Sequence, residues 1–363
     1  MKRLEISKDD LKKNIEIAKK KADGTIIYPV VKGNGMGLGI VEYTNFLFEN
    51  GFDTVAISTP DEARDLIGNV SSGNIFLLSP CVDEDDLKFL ISNNVILTIG
   101  STSEHEQVKK IAKELNVEKV KAFVKVDTGF LRYGFLFNRV DDIAKVYEDK
   151  EIVEVLGMFT HFSDARNKEW TQKQFDRFIK VSTKLMDKGI KPGIMHCSAS
   201  TAFIRYPHMK LDGVRLGSFL QGRTLSKVDG LKKIGTFKSN IVEIKVVPKG
   251  CFVSYSNTYK TRKESKLAVV PVGYMDGLNR NKLTDDFSLF NRIILVWHDF
   301  KNLFRDNSMV VIIKGKKYKI RGRLGMYHAI VDITGLEDIN VGDEVILNIP
   351  PIQANDKIRR EYV

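Results

Sequence analysis

Through the first two thirds of the chain, short unbroken apolar runs alternate with longer stretches in which apolar residues recur every three or four positions. The runs are TIIYPVVK (25–32), TVAIS (54–58), NIFLLS (74–79), VILTI (95–99), KAFVKV (121–126), VEVLGMFT (153–160), GIMHCS (193–198) and LDGVRLG (211–217). Continuously apolar and rich in β-branched residues, they read as parallel strands buried on both faces. Segments between them, such as DEARDLIG and the amphipathic SEHEQVKKIAKELN, read as helices. Eight strand–helix units in about 220 residues is the arithmetic of a (β/α)8 barrel, with an open doubly wound sheet as the alternative.

Past residue 230 the pattern changes. IVEIKVV, KLAVVPVG, RIILV, MVVIIKGKKYKI, AIVDIT and DEVIL read as strands, separated by turn signals (PKG, KGKK, NVGD) with no long helix between them. The expected organisation is therefore an α/β barrel over 1–230 and an all-β domain over 231–363, with residues 1–10 a candidate addition to the second.

Composition narrows the class. Of 363 residues, 43% are apolar and 28% charged, as in a soluble globular protein with a sizeable core. No stretch approaches the roughly 20 uncharged apolar residues that span a bilayer. The start, MKRLEISKDDLKKNIEIAKKK, has no apolar segment after its charges and reads as a surface strand and polar helix of a cytoplasmic chain. The net charge of +11 comes from lysines scattered along helices such as KKNIEIAKKK. That describes a solvated surface and not a nucleic-acid interface. Cys81, Cys197 and Cys251 are too few and too far apart for a disulfide framework or a zinc site, and no metal is expected.

In a barrel, residues at the C-terminal ends of the strands line the active site. Those positions hold Lys32 after the first strand, then Lys125, Asp127 and Arg132 around the fifth. His161 follows the sixth strand, Ser198 and Ser200 the seventh, and Arg215 lies in the eighth. Taken singly, each has a plainer reading: a strand-end lysine is usually a solvated charge and a lone histidine a packing residue. Gathered on one rim they make an anion-binding pocket with one candidate nucleophile. The loop after Lys32 places Gly33, Gly35, Gly37 and Gly39 at alternate positions, so GxGxxG is not met, and no GK[ST] occurs there. Lys32 is instead placed to form a Schiff base, with glycines that let the backbone pass close to a bound cofactor.

These segments resemble the alanine racemase family, whose fold joins a pyridoxal-phosphate barrel to a β domain. PVVKGNGMGLG resembles the family's lysine segment and FVKVDTGFLRYGF its fifth-strand motif. GMFTHFSDA, HCSASTAFIRYP, GVRLGSFLQG, VSYSNTY, VPVGYMDGLNR and GRLGMYHAIVDIT follow in order, and IRREYV closes the chain in the family's manner. The resemblance implies a homodimeric isomerase with shared active sites, dependent on pyridoxal 5′-phosphate and acting on amino acids. Lys32 would hold the cofactor and serve as base on one face of Cα, and Tyr255, from the second subunit, would work on the other. Arg215 would face the pyridine nitrogen and, staying protonated, leave it uncharged, which favours reprotonation at Cα over transamination. His161 would orient Arg215. Ser200 and the backbone N–H groups of Gly217 and Ser218 would bind the phosphate. Arg132 would clamp the phenolic oxygen and the substrate carboxylate, with Lys125 (carbamylated in some members) behind it. Tyr274 and Met326 would line the entrance and the substrate pocket.

The chain departs from the family pattern at four positions. Met36 and Asp356 stand where tyrosines are usual, Ala199 replaces an asparagine, and Tyr327 replaces an aspartate. Two lost phosphate hydroxyls would weaken cofactor retention by about 1–3 kcal/mol. A carboxylate at Asp356 cannot comfortably face a phosphate, so it either turns away or meets a cation: Lys357, Arg359 or the ammonium of a basic substrate. Alanine is the default substrate, with serine, lysine, ornithine and arginine as alternatives. A decarboxylase of the same architecture carries a glycine triplet and an acidic group opposite the pyridine nitrogen; neither is read here. A cofactor carrier would lack the β domain, and a catalytically degenerate relative is the third alternative.

Overall fold

The computed structural model describes residues 2–279, 293–297, 308–335 and 338–363. The chain divides into two compact units, one of Lys8–Ile234 and one of Met1–Ser7 with Gly235–Val363. The barrel in the first is built from eight parallel strands: β1 (Ile26–Pro29), β2 (Thr54–Ile57), β3 (Asn74–Leu77), β4 (Leu97–Ile99), β5 (Val120–Asp127), β6 (Val153–Phe159), β7 (Ile194–Ala199) and β8 (Gly213–Leu216). Ladders join β1 to β8, then β7, β6, β5 and β4 in turn, and a separate ladder joins β2 to β3. Two single parallel bridges, Val30 to Ala56 and Phe76 to Ile96, close the remaining gaps between β1 and β2 and between β3 and β4. The sheet is thus a closed barrel, which excludes the open doubly wound alternative.

The barrel interior is filled by Tyr28, Val30, Ala56, Phe76, Ile96, Phe123 and Phe159. Rings of this size bury large apolar areas, and the edge-to-face pairs Tyr28–Phe123 (6.0 Å) and Phe76–Phe159 (5.6 Å) match their quadrupoles. This plug is the floor on which strand-end residues stand. The surrounding helices start where their caps dictate. Thr59 and Glu62 form a capping box at Pro60–Leu66, Ser101 caps Thr102–Glu114, and Asn167 caps Lys168–Asp187. The last of these buries Thr171, Gln174, Phe178, Val181, Ser182 and Leu185, a stripe at helical spacing that includes three polar side chains.

The second unit is all-β apart from short turns among its described residues. Its larger sheet runs, in spatial order, Lys316–Lys319, Val310–Ile313, Glu344–Leu347, Thr236–Asn240, Arg3–Ile6 and Arg359–Tyr362. The N-terminal strand Arg3–Ile6 pairs antiparallel with Thr236–Asn240 and parallel with Arg359–Tyr362. Glu243–Val247, Ser265–Val270 and Ala329–Asp332 form a second, antiparallel sheet. One expected strand is not one: of RIILV, residues 293–296 lie in a helical turn that runs to residue 297, and Arg292 falls outside the described residues. A five-residue apolar run carries no periodicity that separates strand from helix, and its length does not arbitrate.

Candidate active site

The backbone leading to Lys32 is fixed on both sides: Val30 N–H donates to Leu216 O (2.9 Å) and Val31 N–H to Ala56 O (2.9 Å). The chain then makes a left-handed turn, with φ of 65° at Gly33, 54° at Asn34 and 66° at Gly35, followed by 55° at Met36. Such backbone costs an ordinary residue roughly 1–2 kcal/mol, and glycine almost nothing. A Cβ on Gly35 would also lie 3.2 Å from the backbone of Ile40. Backbone handedness is therefore a reason for the glycines that their alternation did not reveal. Glu62 secures the turn, accepting from Gly33 N–H at 2.6 Å with one oxygen and from Ser58 N–H at 2.8 Å with the other.

After β5 the carboxylate of Asp127 accepts the N–H groups of Gly129 (2.8 Å), Phe130 (2.9 Å) and Arg132 (3.2 Å), folding the loop that presents Arg132. The Asp127 carboxylate is thereby engaged by backbone and not by the neighbouring Lys125. The Lys125 ammonium, in a residue only 5% exposed, lies 5.0 Å from the centre of the Phe159 ring. Burial, with Arg215 and Arg132 nearby, brings its pKa down to about 7. Lys32 is also lowered, by burial first and then by Arg132, with Glu62 opposing. A larger fraction of its amine is then neutral and nucleophilic.

Arg215 is 3% exposed and has no carboxylate among its hydrogen-bond partners in the described residues. Its Nη1 donates to His196 Nδ1 (2.6 Å) and His196 O (3.1 Å), and its Nη2 to Thr160 O (2.6 Å), Cys197 O (3.1 Å) and His161 Nδ1 (3.3 Å). Burial lowers the guanidinium to about 10, still charged at neutral pH. A guanidinium only donates, so both histidines accept through Nδ1, and their protons are assigned to Nε2. Burial and the nearby cations, Arg215 foremost, hold both imidazoles well below the ordinary histidine range, and they are neutral.

His196 was not singled out from the sequence, whereas Ser198 was, and the structure exchanges them. The β7–β8 register shifts between Gly213 and Val214, which breaks the strand alternation. His196 packs among the interior rings, stacked on Phe159 at 5.0 Å. Ser198 is buried elsewhere, donating to Met209 O at 2.7 Å. Two residues apart on an unbroken strand, the pair would share a face, so alternation offered no signal for the difference.

Ser200 opens the helix Ser200–Arg205, and its Oγ accepts the Phe219 N–H at 3.1 Å. Ser200, Gly217, Ser218, Lys32, Lys125, Arg132, His161 and Arg215 all line one cavity of about 650 Å³, together with Met36 and Ala199. Asp164 also lines it, but its carboxylate pairs with Arg166 at 2.8 Å. The site therefore holds an excess of positive charge. It offers an amine for an aldehyde, hydroxyl and cationic donors for a phosphate, and one guanidinium donor, Arg215 Nε, for which the described residues show no partner. This donor set fits pyridoxal phosphate.

The remaining candidates belong to the second unit. Tyr255 is 59% exposed and lies in irregular backbone: Ser254 and Ser256 have φ of 64° and 59°. Tyr274 (44% exposed) and Met326 (49%) are brought together by Tyr274 N–H to Gly325 O and Met275 N–H to Met326 O, both 3.1 Å. The side chain of Asp356 is 80% exposed, 3.8 Å from Arg360 Nη2. A cation beside it is thus Arg360, a residue the sequence did not single out. Tyr327 lies under the ammonium of Lys2 (5.1 Å), which pairs with Asp276 at 2.8 Å.

Fold and site together define a pyridoxal-phosphate-dependent isomerase built as a barrel with a β domain. Residues 6–224 match the family model described as alanine racemase, N-terminal domain, and residues 234–359 that of the C-terminal domain. The chain belongs to the alanine racemase family. It is 33% identical to alanine racemase of Methanococcus maripaludis, over 94% of this chain and 87% of the relative. It is 32% identical to that of Clostridium perfringens, over 94% and 84%. The solved alanine racemase of Clostridium difficile 630 superposes with a TM-score of 0.83 at 30% identity, covering 99% of this chain and 88% of the other.

Proposed function

We propose that the protein interconverts L- and D-alanine as a homodimer with shared sites. The observation that carries this reading is Arg215, a buried guanidinium held only by neutral acceptors at the floor of the cavity. Bound pyridoxal phosphate supplies an electron sink that acidifies the substrate Cα–H. Arg215 keeps its own proton and gives none to the ring nitrogen, so that sink stays moderate and proton return to Cα is favoured. Lys32 holds the cofactor and moves a proton at one face of Cα. Tyr255 of a second copy does so at the opposite face, and its exposure in the single chain supports that use. Arg132 orients the substrate carboxylate, and Ser200 with the N–H groups of Gly217 and Ser218 binds the phosphate. Tyr274 and Met326 border the substrate.

Alanine is favoured over lysine, ornithine or arginine because, among the described residues, the carboxylate that lines the cavity, Asp164, is paired with Arg166, and Asp356 lies beside Arg360. A decarboxylase reading calls for an acid where Arg215 stands. The test is the spectrum of the purified protein, then chiral analysis of products from a panel of L-amino acids in deuterated solvent. D-alanine carrying deuterium at Cα is expected; loss of carboxylate without racemisation would overturn the reading.

A further inference from the structure

One face of the helix Lys168–Asp187 carries polar side chains that the proposed reaction does not use. Gln174 is fully buried, and its Oε1 accepts from both the N–H (3.0 Å) and the Oγ (3.2 Å) of Ser163, in the loop after β6. Its Nε2 donates to Thr128 Oγ1 (3.4 Å) in the loop after β5. Thr128 Oγ1 in turn meets Thr160 Oγ1 at 2.9 Å, and the carbonyl of Thr160 accepts from Arg215. The same helix adds Trp170 Nε1 to Ser163 Oγ (2.8 Å), Thr171 Oγ1 to Asp164 O (3.1 Å) and Arg177 Nη1 to Thr128 O (2.8 Å).

We propose that Gln174 is a positioning residue: it joins the two strand-end loops that carry Arg132 and His161 and so sets the place of Arg132. The inference rests on the reading of Arg132 given above. Its physical ground is that a buried amide must satisfy donors and acceptors together. Only a polar side chain of glutamine's length meets Ser163 and Thr128 from one point on the helix, and the amide does so without burying a charge. By hydrogen bonds, neighbouring Trp170, Thr171 and Arg177 each reach one loop, although the Trp170 ring also lies against Gly129; Gln174 bonds to both loops. A strong polar core of this kind fixes geometry in a way that an apolar packing residue does not.

The test compares Gln174→Met, which keeps length and removes both functions, with Gln174→Glu, which can still accept from Ser163 while the Thr128 hydroxyl turns to donate. With the holoenzyme, Gln174→Met is expected to raise KM for alanine about tenfold while kcat changes less than about threefold, and Gln174→Glu to recover most of that loss. Hydrogen exchange of the same variants, which needs no turnover, should quicken in 127–133 and 160–166 of Gln174→Met and stay unchanged at 58–59. Exchange rising evenly over the barrel, or KM unaltered, would overturn the proposal. If Gln174→Met does not fold, Thr128→Val cuts the same chain of hydrogen bonds, with the same expectations. Failure of wild-type racemisation with loop-confined exchange would reject the assigned reaction and leave the clamp standing.

Discussion

The Nη1 of Arg215 and the Nδ1 of His196 meet at 2.6 Å inside the barrel, with His161 at 3.3 Å on the other side of the guanidinium. A buried cation is normally paired with an acid; here it is held by two neutral imidazoles and three carbonyls. The arrangement leaves the charge of Arg215 uncancelled and directed at whatever enters the cavity. The carboxylates nearby are turned to the backbone: Asp127 folds the Arg132 loop, and Glu62 folds the turn after Lys32. They shape the loops that present the cations without covering them.

Replacing His196 by leucine should therefore damage catalysis more than its distance from the substrate would suggest. A hydrogen bond to a charged group is worth about 1.5–3 kcal/mol, so kcat should fall roughly 10–100-fold in the purified variant. The ring resonances of His196 and His161 in the wild type should not titrate across the ordinary histidine range, because protonation would place a second charge against Arg215. A midpoint near the ordinary histidine value would contradict the assigned neutral pair.

Stability of the cofactor-free protein should fall as the solution is acidified. Lys125 has a folded pKa of about 7 against an unfolded value of 10.5, so across that interval the unfolded chain binds the extra proton. Stability consequently rises as pH rises from about 7 towards about 10 and is lost on the way down, by on the order of 2–4 kcal/mol after solvent screening. The two depressed histidines extend the loss below the ordinary histidine pKa. Bound anions offset this charge, so the holoprotein should melt at a more nearly constant temperature. Thermal denaturation of both forms across pH measures the difference.

The order of eight strands was legible because parallel strands buried on both faces leave continuous apolar runs, and the strand-end rule then pointed at Lys32, Arg132, His161 and Arg215. Features that depend on backbone geometry were not legible. The bulge opposite Gly213 goes with His196 lying against Arg215 and Ser198 against Met209. The left-handed turn at 33–36 explains the glycines, yet periodicity carries no information about φ. Gln174 was invisible because a polar residue in a helical stripe looks the same whether it is solvated or clamped between loops.

Gly35 gives a sharp test of that turn. Gly35→Ala meets both a positive φ of 66° and a Cβ contact of 3.2 Å with Ile40 backbone, whereas Gly24→Ala has φ of 80° and open space. The Gly24 variant should lose about 1 kcal/mol from conformation alone, and Gly35→Ala about 2–3 kcal/mol with slower cofactor attachment at Lys32. Denaturant unfolding and absorbance of the reconstituting protein report the two effects. Equal losses would show that crowding at Ile40 is unimportant.

Met36 lines the cavity beside Gly217, where a Cβ would come within 3.5 Å of its Cε. A thioether offers an anion no donor. Met36→Tyr brings a hydroxyl to that wall and should tighten retention of pyridoxal phosphate by about fivefold, the scale of one added hydrogen bond of ~1 kcal/mol. Equilibrium dialysis of holoprotein measures it. A weaker hold would mean that the phosphate group does not occupy this end of the cavity.

Sharing of residues between two copies can be tested by complementation. Lys32→Ala removes the amine that holds the cofactor, and Tyr255→Phe removes the hydroxyl that works at the other face, slowing the two directions unequally. If each site takes Lys32 from one copy and Tyr255 from the other, a mixed dimer of the variants contains one site with both changes and one with neither. Random exchange makes half the dimers mixed, so activity should recover to about a quarter of wild type. That recovery requires the 59% exposed Tyr255 of one copy to serve the other. If Lys32 and Tyr255 of the same copy worked together, every site in the mixture would carry one lesion, and mixing would restore nothing.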